Sequence, residues 1–178
     1  MGRNVYWTDD ALGQVSVARM DAPSARLVLL RDQNFNPRSI ALDPANGVMY
    51  WSVWASAQTA RGRIESAAMD ASGRRTLLDA ELHWPNGLAL VLPERYLYWC
   101  DTYLNKIERV LVTATGELAP GAQRELVARQ TPDFPLSKPY GLAVYEGAVL
   151  WSEHGTGRVR SVRGAGPART LHAFATPL

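Results

Sequence analysis

An all-β fold, a β-propeller built of four-stranded antiparallel blades, is predicted by three observations. The first is a recurring strand ending: Tyr6-Trp7-Thr8-Asp9, Tyr50-Trp51-Ser52-Val53, Tyr98-Trp99-Cys100-Asp101 and Leu150-Trp151-Ser152-Glu153. The tryptophans follow one another at steps of 44, 48 and 52 residues, a period that marks propeller blades or solenoid units. The second is a recurring lead-in, Asn36-Pro-Arg-Ser-Ile-Ala-Leu-Asp43, Pro85-Asn-Gly-Leu-Ala-Leu90 and Pro139-Tyr-Gly-Leu-Ala-Val144. The third is that every complete period holds four apolar runs of strand length separated by Gly, Pro, Asp and Asn. Such a meander repeated radially is a propeller.

Taken in order, segment 1–36 opens inside a blade: Val5–Asp9 is a second-position strand without an inner partner, and Gln14–Met20 and Arg26–Leu30 follow it. Segment 37–82 is a full blade, its outer runs being Gly62–Met69 and Arg75–Leu78. Segment 83–136 is a full blade with a longer outer excursion between Lys106–Leu111 and Arg124–Val127. Segment 137–178 holds the last blade, with Gly157–Val162 and Arg169–His172, and ends in Thr176-Pro-Leu178 without closing a ring. About four blades are therefore expected, where closed propellers carry typically 4–8. An open arc would leave Trp7 near one bare face and Val149, Trp151 and Val159 near the other, and would be prone to self-association or marginal folding.

Composition narrows the function classes. Of 178 residues 47% are hydrophobic, and no apolar run approaches the roughly 20 residues of a membrane span. Gly2-Arg3-Asn4 leads straight into a strand, without the basic-then-apolar layout of a secretory signal. The formal charge of +2 is spread over interspersed acids and bases, so no nucleic-acid stripe is expected. One cysteine excludes an internal disulfide framework and a cysteine-rich zinc site.

The Tyr-Trp-Thr-Asp ending, the Pro-Asn-Gly-Leu-Ala lead-in and the Met69-Asp-Ala-Ser-Gly73 turn resemble the YWTD, or class B, repeats of the low-density lipoprotein receptor family. The resemblance covers essentially the whole chain. It implies part of a six-bladed propeller that stands beside epidermal-growth-factor-like modules in the extracellular part of a single-pass membrane receptor. It also implies protein ligands, a role in endocytosis or signalling, and no catalysis, cofactor, metal or direct membrane contact.

Strand alternation places Trp7 with Asp9 on one face and Tyr6 with Thr8 on the other. Pressed between blades, Trp7, Trp51, Trp99 and Trp151 would each bury about 150–250 Å². Asp9, Asp101 and Glu153 at the strand ends are candidate structural clasps, expected to tie blade to blade by taking backbone N–H groups of neighbouring turns. Val53 breaks that pattern. Ala22 and Ala71 stand where the family's turn commonly has glycine, a poor choice if the backbone there needs positive φ.

Meander parity brings Asp10, Arg38, Trp54, His83, Trp84, Tyr103, Tyr140 and His154 to one end of the blades. Arg38, Trp54, Trp84, Tyr103, Tyr140 and His154 are the ligand-face candidates, since Trp, Tyr and Arg dominate binding energy at interfaces; simple packing of Trp84 over the inner strand is the bland alternative. His83 and His154 could sense pH, or be loop residues without a role. Nucleophile-elbow, zincin and phosphate-loop patterns are missing, and Cys100 reads as a small buried thiol. A rival is a calcium-dependent six-bladed lactonase, which Asn86 and Asp101 also resemble. A hard cation wants six to eight oxygens, and the positions equivalent to Asn86 are Arg38 and Tyr140. A fragment without function is the third reading.

Overall fold

A computed structural model describes residues 3–173 apart from 58, 93, 133, 135 and 165; the expected Thr176-Pro-Leu178 ending lies outside the described residues. Among the described residues fifteen strands form four antiparallel sheets. The first holds β1 (Asn4–Asp9), β2 (Gln14–Arg19) and β3 (Ala22–Arg31). The second holds β4 (Pro37–Asp43), β5 (Val48–Val53), β6 (Arg63–Ala68) and β7 (Arg75–Leu78). The third is β8 (Pro85–Val91), β9 (Tyr96–Asp101), β10 (Lys106–Leu111) and β11 (Glu125–Arg129). The fourth is β12 (Pro139–Tyr145), β13 (Ala148–Glu153), β14 (Arg158–Arg163) and β15 (Arg169–Ala173). Each is a sequential meander, so the chain is an incomplete β-propeller.

The inner strands β4, β8 and β12 touch one another in turn, and β1 touches β4 as β5 touches β8 and β9 touches β12. The first strand of the chain thus sits in the second position of its blade. Alternation along the Tyr-Trp strands decides how blades are glued. Trp51 packs back on the first blade with Val15, Phe35 and Tyr6; Trp99 packs on the second with Tyr50; Trp151 packs on the third with Tyr98. Every interface pairs the tyrosine of one blade with the tryptophan of the next, and burial of that much aromatic surface is the main term holding blade to blade.

This polarity corrects one expectation. Trp151 and Val149 are buried against the third blade. They do not line the bare side of the last blade, because a tryptophan always faces the preceding blade; the opposite side carries half-buried Leu150 and Ser152. Trp7, with no preceding blade among the described residues, is only half-buried.

A second repeated device backs the tryptophans. Glu65 and Glu108 sit directly across the third strand from Trp51 and Trp99. Arg74 pairs with Glu65 at 3.1 Å and with Asp32 of the first blade; Arg124 pairs with Glu108 at 2.5 Å and donates to the Ala80 carbonyl at 2.5 Å. Each arginine reaches back to the end of the preceding blade's outer strand. Arg95 also reaches back across the second interface, but to the end of the inner strand, pairing with buried Asp43 at 2.9 Å. Burial pushes the Asp43 carboxyl up, yet hydrogen bonds from Asn46 and Arg95 outweigh it and hold the group below its ordinary value.

The turn at Met69–Gly73 bears on the Ala22 and Ala71 substitutions. Ala71 has φ +70°, the left-handed region where a Cβ is strained, whereas Ala22 begins β3 without that conformation. Ala71→Gly is expected to stabilise the chain by about 0.5–1 kcal/mol, relief of strain exceeding the added chain entropy; a denaturant midpoint unchanged or lower than the parent's would contradict this.

Candidate functional site

The end of the blades that carries the β3–β4, β7–β8 and β11–β12 connections is built from three equivalent irregularities. Pairing of β4 with β5 shifts register between Pro37 and Ile40, that of β8 with β9 between Pro85 and Leu88, and that of β12 with β13 between Pro139 and Leu142. A bulge re-aims side chains that a regular ladder would hold on its faces. Here it turns out Arg38, Asn86 and Tyr140, which with Asp10 line a cleft of about 440 Å³ between the inner strands. Gly87 allows the approach: a Cβ there would lie 2.6 Å from the Leu142 nitrogen and 2.8 Å from the Tyr140 carbonyl oxygen.

The backbone so exposed is satisfied by the third position of the repeated ending. Thr8 donates to the Arg38 carbonyl, Ser52 to that of Asn86 at 2.8 Å, and the Cys100 thiol to that of Tyr140 at 3.2 Å. Each bond runs from one blade to the inner strand of the next, a tie that sequence reasoning did not assign. The rule was visible as the small donor Thr, Ser, Cys at one register. Burial pushes the Cys100 thiol up to about 12, so it stays protonated, a donor and not a nucleophile.

Asp101 is fully buried and organises the rim. Its carboxylate accepts from the N–H groups of His83 (2.8 Å), Trp84 (3.3 Å), Tyr103 (3.0 Å) and Leu104 (3.0 Å). It binds the loop entering β8 to the loop leaving β9, so its tie lies within the third blade and not between blades as expected. Glu153 accepts from Ser137 N–H at 3.4 Å, Trp151 Nε1 at 3.2 Å and Thr156 Oγ1 at 2.5 Å, and pairs with Arg160. Asp9 takes the N–H of Leu12 at 2.9 Å, within its own turn. Val53 is fully buried beside Phe35 and Val15, so apolar packing occupies the place of a carboxylate in the second blade.

On this frame the sequence candidates form a continuous surface. The Arg38 guanidinium lies 3.5 Å over the Trp54 ring and pairs with Asp10 at 2.7 Å. Trp54 stacks on Trp84 at 5.3 Å, Trp84 meets Tyr103 edge-on at 5.3 Å, and His83 lies 4.0 Å from Tyr103. Tyr140 and His154 form a second pair, 6.0 Å apart, on the far side of the cleft. Tyr103 and Tyr140 are 56% and 41% exposed, so flat aromatic area meets solvent. Sequence parity found these residues; it did not find Asn86 as their hub. The Asn86 amide oxygen accepts from Trp54 Nε1 at 3.1 Å and its nitrogen donates to Thr102. The oxygen a cation would need thus already accepts from an indole. Among the described residues no group of three or more His, Cys, Asp or Glu side chains could hold a metal ion.

Comparison with known proteins follows the same lines. Residues 47–90 match the low-density lipoprotein receptor repeat class B family. The vitellogenin receptor Yl of Drosophila melanogaster is 30% identical over 159 residues, 89% of this chain and 7% of the receptor. The low-density lipoprotein receptor-related protein 5-like protein of Homo sapiens is 32% identical over 163 residues, 92% of this chain. The chain spans 60% of that human relative. A chain from the crystal structure of the nidogen/laminin complex superposes with a TM-score of 0.78 at 28% identity, covering 98% of this chain and 60% of that one. Gluconolactonase structures match at 20% and 21% identity, with TM-scores of 0.69 and 0.70; at that distance the likeness is one of fold alone.

Proposed function

Because the chain belongs to the low-density lipoprotein receptor class B repeat propellers, we propose that it is a non-catalytic, protein-binding propeller segment in the extracellular part of a membrane receptor, serving ligand uptake or signalling. In that setting epidermal-growth-factor-like modules would flank it. The observation that carries the reading is the rim of Arg38, Trp54, Trp84 and Tyr103, one stacked and partly exposed surface beside a cleft, with Tyr140 and His154 opposite. Pre-stacked aromatic rings lose little conformational freedom on binding and bury large areas, the properties of interface hot spots. Asp9, Asp101 and Glu153 act in this proposal as structural clasps, and Trp7, Trp51, Trp99 and Trp151 as blade-facing anchors. The hydrogen bonds that the Asn86 oxygen and the Asp101 carboxylate already accept favour this reading over the lactonase alternative.

In a receptor ectodomain carrying this segment, joint replacement of Trp54 and Tyr103 by alanine is expected to weaken protein-ligand binding by about 2 kcal/mol or more, the scale of a hot spot. Surface plasmon resonance against the receptor's ligand reads the effect, and the Tyr103→Ala change alone should leave the melting temperature nearly unaltered. Undiminished affinity with both rings removed would refute this face as the binding surface.

A further inference from the structure

The opposite end of the blades, which carries the connections within each sheet from first to second and third to fourth strand, treats two equivalent gaps differently. Between the second and third blades the gap is covered by the chain itself. Residues 112–122 fold back over it as a turn, bridged by Val112 and Leu118, and Val112, Leu118 and Ala122 join the core there. Five contacts define how the turn is held. The Thr113 carbonyl accepts from Arg95 at 2.6 Å and from the Tyr50 hydroxyl at 3.5 Å. The Gly116 carbonyl accepts from Ser66 at 2.6 Å. Gly116, at φ +80°, lies so close to Val48 that a Cβ would stand 2.7 Å from its Cγ1. Glu117 pairs with Arg75.

Between the third and fourth blades the corresponding connection, from Arg163 to Arg169, is five residues long where that of the third blade has thirteen. A groove of about 720 Å³ stays open. Register assigns its floor residue by residue. Tyr98 stands where Tyr50 stands, next to its blade's Trp, and Tyr96 where Val48 stands. Arg109 pairs across from Tyr98 as Ser66 does from Tyr50, and Glu125 pairs with Arg109 as Arg75 does with Ser66. The tyrosine, with the donor role it plays in the filled gap, is retained. The charge that meets the turn is reversed, from Arg75 to Glu125. Glu94 and Glu146 also line the groove, and Arg109, bonded to Glu125 at 2.6 Å, is the cation among its lining residues. Arg109 also donates to the Tyr98 hydroxyl oxygen at 2.9 Å, a bond that does not use the hydroxyl's own hydrogen.

We propose that this groove is a docking site for a basic β-turn of a partner protein: a turn with apolar flanks and a glycine, like residues 112–122, but with lysine or arginine where Glu117 stands. Its carbonyl would accept from Tyr98, its apolar flanks would cover Val91 and Leu92, and its cation would meet Glu125. The chain's own 112–122 turn is the wrong occupant because its acid would face Glu125, which disfavours a second copy in the groove.

The test uses the full chain and two fluorescein-labelled cyclic peptides that copy residues 112–122, one unaltered and one with E117K, titrated by fluorescence anisotropy. The E117K copy is expected to bind at least tenfold more tightly than the unaltered one. The double variant Arg109→Ser, Glu125→Arg recreates the filled gap and should reverse the preference; its folding is checked by its circular-dichroism melt. Should that variant fail to fold, Glu125→Gln serves, and the preference should fall to less than threefold. Equal binding of the two copies, no binding of the E117K copy, or a preference that survives these substitutions overturns the proposal.

Discussion

Asp101→Ala should cost about 3–5 kcal/mol of folding stability, because four backbone N–H groups lose a buried carboxylate and each stranded donor costs about 1–3 kcal/mol where water does not replace the lost partner. The loss is expected to reach beyond stability. His83, Trp84 and Tyr103 carry three of those four N–H groups, and the same residues supply the rings of the rim. The near-ultraviolet circular dichroism of the stacked aromatics should therefore weaken even in conditions where the sheets remain folded. Asp101→Asn keeps one acceptor oxygen and should fall between the two. A denaturant midpoint shifted by less than 1 kcal/mol equivalent in the alanine variant, with the aromatic signal intact, would show that the loops hold their shape without the carboxylate.

The second large effect is expected at Glu65. Its carboxylate is buried and accepts from Trp51 Nε1 at 2.7 Å, from Arg63 at 2.9 Å and from Arg74 at 3.1 Å. Glu65→Ala strands an indole N–H and leaves Arg74 with only Asp32, the situation in which breaking a buried ion pair costs about 3–5 kcal/mol. Glu108, at the matching register, makes a natural control. It pairs with Lys106 and Arg124, but the buried Trp99 Nε1 has no hydrogen-bond partner among the described residues, and Arg124 keeps the carbonyl of Ala80. Glu108→Ala should therefore cost less than Glu65→Ala by about 1 kcal/mol or more. Urea unfolding of both variants measures the difference; equal losses would mean that the indole bond contributes nothing.

The proposed ligand rim and the docking groove lie at opposite ends of the same blades, and the two are separable by mutation. Tyr103 and Glu125 share neither a strand nor a hydrogen-bonding partner among the described residues. Changes at one should leave binding at the other unaltered.

How far the sequence reached differs between fold and site. Strand period, repeat and turn residues were local properties of the chain, so the four meanders and the inward tryptophans could be read before any contact was known. Parity alone also brought Arg38, Trp54, Trp84, Tyr103, Tyr140 and His154 to one end, since successive connections of a meander must alternate. What parity could not supply was direction. Whether Trp151 faces the third blade or open solvent depends on which side of the sheet the preceding blade occupies, and that is a fact about packing. Hydrogen-bond partners distant along the chain were hidden for the same reason. Asn86 resembled a cation ligand in sequence because an amide oxygen is a good ligand; in the folded chain that oxygen accepts from the indole of Trp54, thirty-two residues away. The inversion of charge from Arg75 to Glu125 is likewise written in the sequence, but it acquires meaning only once register aligns the two sheets and a groove is seen between the third and fourth blades. Local periodicity determines which elements form, and the close approach of remote strands decides which polar atoms remain to meet a partner.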